Sequence, residues 1–544
     1  MNSLTAQKTL ASDSLYKKIK MYCKNFSFIM FLLLSTIGSY TYFLTNYTIS
    51  IDDFSGDRYY FGQLFAQGRL TSTIVRHLFG LIDNNMWFID FMGVLLLAFS
   101  AIIFCILFDK YIKTENTVPQ TIFACLLVTS PIYTEIFTYT GCTLAIGGSF
   151  TLVALALRLV QNFCETGKKR NMVISALLIA IVASWYESII VIYFGAVFSL
   201  LILKYIQQNE KANFKNIFFG GLKYAIPLIA GIIAEFITGT IVMKLVNFQG
   251  WTGADNVSRY LTGTADSLIN IILRYIANYV LAGLWYLPIT IFLIAIAASV
   301  ILCLYYTIKK KSWWLFALFI GLWISLFILS LISGSAASYR MSQIVAFFTA
   351  FIAFLVVYTV CRTNKKTLKR IVYVICSYLI ILQITNTNYW FNVDCMRYEE
   401  EKSVIQQVGI TLYQNYDINK PVVFVGEFEL SNTIKDMTYI KTDNIAYKAF
   451  KSVGKEKLFV GPDAKGEYVR KITKSSCNSY INWSINAFGE VNTELLNFFE
   501  YQGFSFKQGT RDMFNEAKEL SKDMPRWPNK GSIKDNGKYI VVNF

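Results

Sequence analysis

Apolar residues run in long blocks along roughly the first 390 positions, broken by short polar segments. Eleven blocks approach the ~20 residues needed to cross a hydrocarbon core. They are 26–46, 87–108, 118–135, 140–160, 172–186, 188–206, 217–243, 281–306, 313–332, 341–360 and 371–388. Beyond them the pattern changes. Arg397 to Tyr413 reads as a helix, PVVFVGEF, EKLFVGP and KYIVVNF read as strands bounded by turn residues, and Asn492 to Gln502 reads as a further helix. The fold predicted is a polytopic α-helical membrane protein of about 11 transmembrane helices with a small C-terminal α/β domain. Its parts are a tail (1–25), a transmembrane domain (26–388) with outer loops 48–86 and 247–280, and an extracytoplasmic domain (389–544).

Composition agrees with that pattern. Of 544 residues, 54% are hydrophobic and 16% charged, too little polar surface to coat a soluble protein of this size. Basic residues near span ends stay cytoplasmic. They cluster at Lys17, Lys18, Lys20 and Lys24, then Lys110 and Lys113, Lys168–Arg170, Lys204 with Lys211 and Lys215, Lys309–Lys311, and Lys365–Arg370. Each cluster falls on an inner loop of the eleven-span arrangement, which puts the N-terminus in the cytoplasm and the C-terminal domain outside the inner (plasma) membrane. The net charge of +16 is thereby explained by topology and anionic lipid, and no nucleic-acid partner is expected. The first apolar block is too long for a signal peptide and lacks a small-residue cleavage site. Most of the ten cysteines lie in or beside spans; only Cys395 and Cys477 fall in the outer domain, as a disulfide or as two thiols. One histidine, no CxxC and no HExxH argue against zinc. No cofactor is expected, and a divalent metal stays open.

The outer segments hold the candidate chemistry. Asp52 and Asp53 follow the first span, with Asp57 and Arg58 close behind. A helix starting at Thr71 or Ser72 sets Ile74, Val75, Leu78, Phe79 and Ile82 on one face, with Arg76 and His77 elsewhere, the pattern of a helix lying in the membrane interface. The second outer segment repeats this design. After Asp266, a candidate N-cap, Leu268, Ile271, Ile272, Tyr275, Ile276 and Tyr279 share one face, and Asn270, Arg274 and Asn278 the other. The third segment ends in Arg340 at the mouth of the tenth span. Paired carboxylates repel, and burial raises the pKa of one, which suits proton transfer. Arginines at headgroup depth suit a phosphate. Against this, charged loops beside membranes are ordinarily just solvated, and one Asp–Asp pair is a weak motif. Glu187 and Glu235 are acids within spans, where ionisable groups are costly. No Walker or Rossmann glycine pattern is present to hold a nucleotide.

The order of Ile51–Asp52–Asp53, Gly68–Arg69, the Trp185–Tyr186–Glu187–Ser188 turn and Arg340 resembles the bacterial serotype-converting O-antigen glucosyltransferases, in the GT-C class. The tail MPRWPNKGSIKDNGKYIVVNF is similar to the end of members with an extra outer domain. Leu70 stands where a tryptophan often follows the Gly–Arg pair, and Glu187 where a glutamine often follows the tyrosine; both bear on donor and acceptor identity.

The resemblance implies transfer of a hexose, usually glucose, from a polyprenyl-phosphate sugar to an envelope glycan at the outer face. In that reading Asp53 or Asp52 is the general base. Arg69, Arg274 and Arg340, with Glu187, Asp57 and His77, make up the substrate-binding set. The bilayer and the two substrates are the direct partners. A companion polyprenyl-phosphate glycosyltransferase and a flippase would supply the donor. The rival readings are a lipid-linked saccharide flippase or exporter, and an envelope polysaccharide polymerase or ligase. A flippase would need polar residues along a transbilayer path, and the spans show none.

Overall fold

The computed structural model describes residues 14–544 apart from 52, 54–68, 79–85, 113–115, 140, 208–212, 247–258, 260–262, 277–288, 336–338, 442–444, 453, 455–459, 463–467, 471–477 and 490. The chain forms two compact units. The first is Met1–Thr45, Phe61–Phe137 and Gly141–Tyr389; the second is Asn46–Tyr60, Thr138–Thr140 and Trp390–Phe544.

The first unit is helical. In chain order its principal helices begin with α1 (Leu15–Lys24), α2 (Phe26–Thr45), α3 (Leu70–Leu78), α4 (Met86–Asp109), α5 (Val118–Val128), α6 (Cys142–Thr166) and α7 (Lys169–Trp185). They continue with α8 (Ile190–Gln207), α9 (Phe214–Val246), α10 (Leu268–Ile276), α11 (Ile289–Lys310), α12 (Trp313–Ser325) and α13 (Ile344–Cys361). α14 (Lys366–Asn415) runs from the first unit into the second. Among the described residues eight helices are long and apolar enough to cross a membrane: α2, α4, α6, α8 with the turn before it, α9, α11, α13 and α14. At the other three predicted spans stand shorter helices: α5, α7 and α12.

Sequence accounts for these boundaries. α5 stops at Val128 because Pro131 lacks an N–H and disfavours a helical residue before it. The carbonyls left open are met by other helices. Tyr40 Oη donates to Val128 O at 2.7 Å and Thr387 Oγ1 to Thr129 O at 3.0 Å. In a bilayer core no water can do this, so side chains must. α13 is buried along most of its length. Its Phe347, Phe351 and Phe354 meet Phe104 and Phe108 of α4 and Phe123 of α5 at centroid distances of 5.0–6.4 Å. α9 instead exposes Ile226, Ile229, Ile233, Phe236 and Ile237, a surface suited to lipid.

Two glycine contacts set helix spacing. A Cβ on Gly147 of α6 would lie 2.0 Å from Gly93 O of α4, so only glycine lets these backbones meet. A Cβ on Gly148 would lie 2.4 Å from the Trp185 ring at the end of α7.

The sequence reading separated a span at 371–388 from a helix over 397–413. The structure joins them in α14, a single helix of 50 residues. No proline falls between its ends and its one glycine, Gly409, comes late, so nothing breaks it. At 1.5 Å per residue it is about 75 Å long, more than twice a hydrocarbon core.

The second unit holds a four-stranded sheet, order β5-β1-β7-β6, from β1 (Pro421–Val425), β5 (Lys507–Gln508), β6 (Ile533–Asp535) and β7 (Ile540–Asn543). β1 runs parallel to β5 and β7, and β6 antiparallel to β7. The central β1 and β7 are buried and almost wholly apolar, as strands covered on both faces must be. A smaller antiparallel sheet orders β2 (Tyr439–Lys441), β4 (Tyr468–Arg470) and β3 (Val460–Pro462) as β2-β4-β3. Helix α15 (Thr493–Tyr501) stacks Phe499 on Phe424 at 4.8 Å.

Candidate active site

Within the first unit, four sequence-selected residues are tied to one corner. α7 ends at Trp185, Tyr186 is extended (φ −154°, ψ 94°), and Glu187–Ile189 form a single 3₁₀ turn into α8. Opposite this corner Arg69 precedes α3, its carbonyl accepting Thr73 N at 3.1 Å. The helix therefore starts at Leu70, before the Thr71 or Ser72 expected to cap it. Thr71 spends its hydroxyl on Ser184 Oγ of α7, 2.5 Å away, which docks α3 against the corner.

Arg69 meets Glu187 as a fork. Nε lies 3.3 Å from Oε2 and Nη2 3.1 Å from Oε1, and the guanidinium carbon sits 5.3 Å over the Tyr186 ring. Burial alone would disfavour the arginine charge, but the Glu187 carboxylate outweighs it and raises the Arg69 pKa. Nη1 of Arg69 makes no hydrogen bond among the described residues.

Arg340 sits on the 3₁₀ turn Tyr339–Met341, and its charge acts on both Tyr186 and Glu187. Gln343, buried beside it, donates through Nε2 to the Arg340 carbonyl and accepts from Ser188 Oγ at 3.2 Å. One amide thus links the Arg340 turn to the Glu187 turn. The sequence reading missed Tyr186 as a stacking partner and Gln343 altogether; only the Tyr186–Glu187 adjacency hinted at the first. Glu235 of α9 lies near enough for the Glu187 charge to act on it.

Other predicted site residues fall elsewhere. His77 is exposed on α3, eight residues and thus about 12 Å of helix beyond Arg69. Arg274 lies in α10, and its side chain lies outside the described residues. α10 begins at Leu268, where Ser267 Oγ accepts Asn270 N at 3.3 Å; Asp266, the expected cap, instead donates its N–H to Gly334 O at 2.9 Å. Asp52, Asp57 and Cys477 lie outside the described residues.

Asp53 is described, and it belongs to the second unit. It closes a turn on itself: its Oδ2 accepts Ser50 N at 2.7 Å and its own N–H donates to Ser50 O at 3.2 Å. Just upstream, Thr48 Oγ1 donates to Asp394 Oδ2 of α14 at 2.6 Å, and Arg397 of α14 donates to Ile49 O.

Eight helices long and apolar enough to cross a membrane among the described residues are those of a polytopic membrane protein. The sequence profile of the family described as "Glucosyl transferase GtrII" matches residues 41–360, more than half of the chain, and the chain belongs to that family. No curated protein sequence matches it. Among solved structures it is similar to the crystal structure of the Archaeoglobus fulgidus oligosaccharyltransferase in the apo form, with 11% identity and a TM-score of 0.38. The alignment covers 74% of this chain and 63% of the archaeal one. The same enzyme in complex with Zn and sulfate matches at 12% identity and a TM-score of 0.35, covering 73% and 60%. This chain thus spans less than two thirds of those proteins.

Proposed function

We propose that this protein transfers a hexose, glucose by its family, from a polyprenyl-phosphate donor to an envelope glycan at the outer face of the plasma membrane. The observation that carries the reading is Asp53, a carboxylate pinned in a closed turn a few residues beyond α2, where a lipid headgroup and an aqueous acceptor can meet. Asp53 takes the proton of the acceptor hydroxyl. That oxygen bonds to the sugar C1 as the bond from C1 to the phosphate oxygen breaks, and polyprenyl phosphate leaves with one more negative charge. Arginines answer that charge. Arg69 is held in place by Glu187 and Tyr186, Arg340 shares the corner, and Arg274, on α10, is the third arginine of the set. Asp52 is the alternative base, Glu187, Asp57 and His77 complete the substrate-binding set, and a companion glycosyltransferase and flippase supply the donor. The basic inner loops support a cytoplasmic N-terminus and an extracytoplasmic C-terminal unit.

The test is transfer of radiolabelled sugar from purified polyprenyl-phosphate donor to acceptor glycan by the full chain in liposomes. Asp53→Asn keeps the shape and loses the base, and a positioned base contributes about 10²–10⁴-fold. A collapse of that order with donor binding retained is the expected result. Near wild-type turnover in both Asp53→Asn and Asp52→Asn removes the pair from the chemistry. Movement of intact lipid-sugar without transfer selects the flippase, and joining of whole glycans selects the polymerase or ligase.

A further inference from the structure

Arg397, Asp394 and Glu401 lie on successive turns of α14, and all three side chains are fully buried. Arg397 bonds both acids: Nε and Nη2 reach Asp394 Oδ1 at 3.2 and 3.1 Å, and Nη1 reaches Glu401 Oε2 at 2.6 Å. Each carboxylate turns its second oxygen to a distant stretch of chain. Asp394 Oδ2 accepts the Thr48 hydroxyl, while Glu401 Oε1 accepts Ser479 Oγ at 2.7 Å and Ile481 N at 3.1 Å. One buried cation and two anions are thus fully hydrogen-bonded, the condition under which such a cluster is tolerated.

The arginine also donates to the Ile49 carbonyl. That carbonyl belongs to the same peptide group as the Ser50 N–H, and this N–H donates to Asp53 Oδ2. A single peptide plane therefore joins the guanidinium to the carboxylate. Its oxygen is held by Arg397 and its hydrogen by Asp53. A cation on the carbonyl fixes the plane's rotation and polarises its N–H, so both the place of Asp53 and the strength of its hydrogen bond depend on Arg397.

We propose that Arg397, anchored by Asp394 and Glu401, is a positioning residue for transfer, acting on Asp53 through the Ile49–Ser50 peptide. The inference rests on the reading of Asp53 as the base. It gives the second unit a task in the reaction: α14 sets the point at which the acceptor proton is received. Arg397 itself touches no substrate. A misplacement of about 1 Å in a reacting group can cost on the order of 10²-fold in rate.

The experiment compares Arg397→Lys, Thr48→Val and Asp53→Asn in the full chain in liposomes, recording kcat, donor KM and thermal unfolding. Lysine keeps the charge but cannot span Asp394, Glu401 and the Ile49 carbonyl together. The expected result is a kcat about 10–100-fold lower for Arg397→Lys, with donor KM within about twofold and unfolding cooperative. Thr48→Val, which frees only one end of the segment, gives a smaller fall of the same kind. A purely structural cluster would lower the folded fraction and leave kcat per folded molecule unchanged in both variants, and that outcome overturns the proposal. If Arg397→Lys does not fold, Thr48→Val decides alone: kcat lowered at constant KM supports the proposal, and unchanged kcat overturns it. An active Asp53→Asn instead overturns the base assignment and the positioning role with it. An inactive Asp53→Asn beside a wild-type Arg397→Lys overturns only the positioning role.

Discussion

Arg69 and Glu187, 118 residues apart in sequence, meet through two parallel hydrogen bonds of 3.3 and 3.1 Å while the Tyr186 ring backs the guanidinium. The pair fixes the arginine's plane, so what it presents outward is a set orientation and not a mobile charge.

Arg69→Lys removes both the fork and the stacking. Loss of a charge-assisted hydrogen bond is worth about 1.5–3 kcal/mol, so transfer at limiting donor should fall about 10–100-fold. Glu187→Gln should do less, since the amide still accepts one bond. The swap Arg69→Glu with Glu187→Arg should recover thermal stability without recovering transfer; full recovery of both would make the pair a structural link only. Arg340→Lys should likewise raise donor KM.

Gln343→Leu should unfold more easily by about 1–3 kcal/mol, because the Ser188 hydroxyl is left buried without its acceptor. Ser188→Ala with Gln343→Leu removes both partners and should lie closer to wild type. Melting in detergent, followed by transfer assays on the folded fraction, separates packing from the link to Arg340.

Gly148→Ala should cost about 1–3 kcal/mol and reduce transfer, since the added methyl meets the Trp185 ring that leads into the Tyr186–Glu187 corner. The double variant Gly148→Ala/Trp185→Leu should regain stability. Failure of the second change to compensate would place the strain elsewhere.

Protease added outside intact spheroplasts should remove the C-terminal unit and spare Lys365–Arg370 and the other basic loops. Survival of that unit, under conditions that digest a known outer domain, would contradict the arrangement read from the basic residues.

Much of this was legible in the sequence because lipid imposes a coarse rule: long apolar runs become helices whatever their neighbours. Among the described residues each of the eleven runs contains helix, though only eight lie in helices long and apolar enough to cross a membrane, and β1, β3 and β7 fall within PVVFVGEF, EKLFVGP and KYIVVNF, the segments read as strands. Side-chain partnerships were less visible. Asp394, Arg397 and Glu401 have the i, i+3 and i, i+4 spacing of helix ion pairs, ordinarily a feature of exposed faces. Here they are buried, and their further hydrogen-bond partners come from chain segments at 48–49 and 479–481, far away in sequence. Gln343 gave no signal at all, since its partner Ser188 lies 155 residues away. The joining of 371–388 to 397–413 was missed for a different reason: a change of composition along α14 was read as an end, although no helix-breaking residue stands there.

The backbone contact of Gly93 with Gly147 also limits how the molecule can move. Surfaces that mesh at the level of carbonyl oxygens have no smooth path for sliding, so α4 and α6 should travel as one plate through the reaction cycle. Any gating as a long prenyl tail enters and departs falls to segments with looser neighbours. α9 is not among them: it shows apolar side chains outward, but on its inner side a Cβ at Gly231 would lie 2.6 Å from Ala176 O of α7, so these two helices are meshed at the backbone as well.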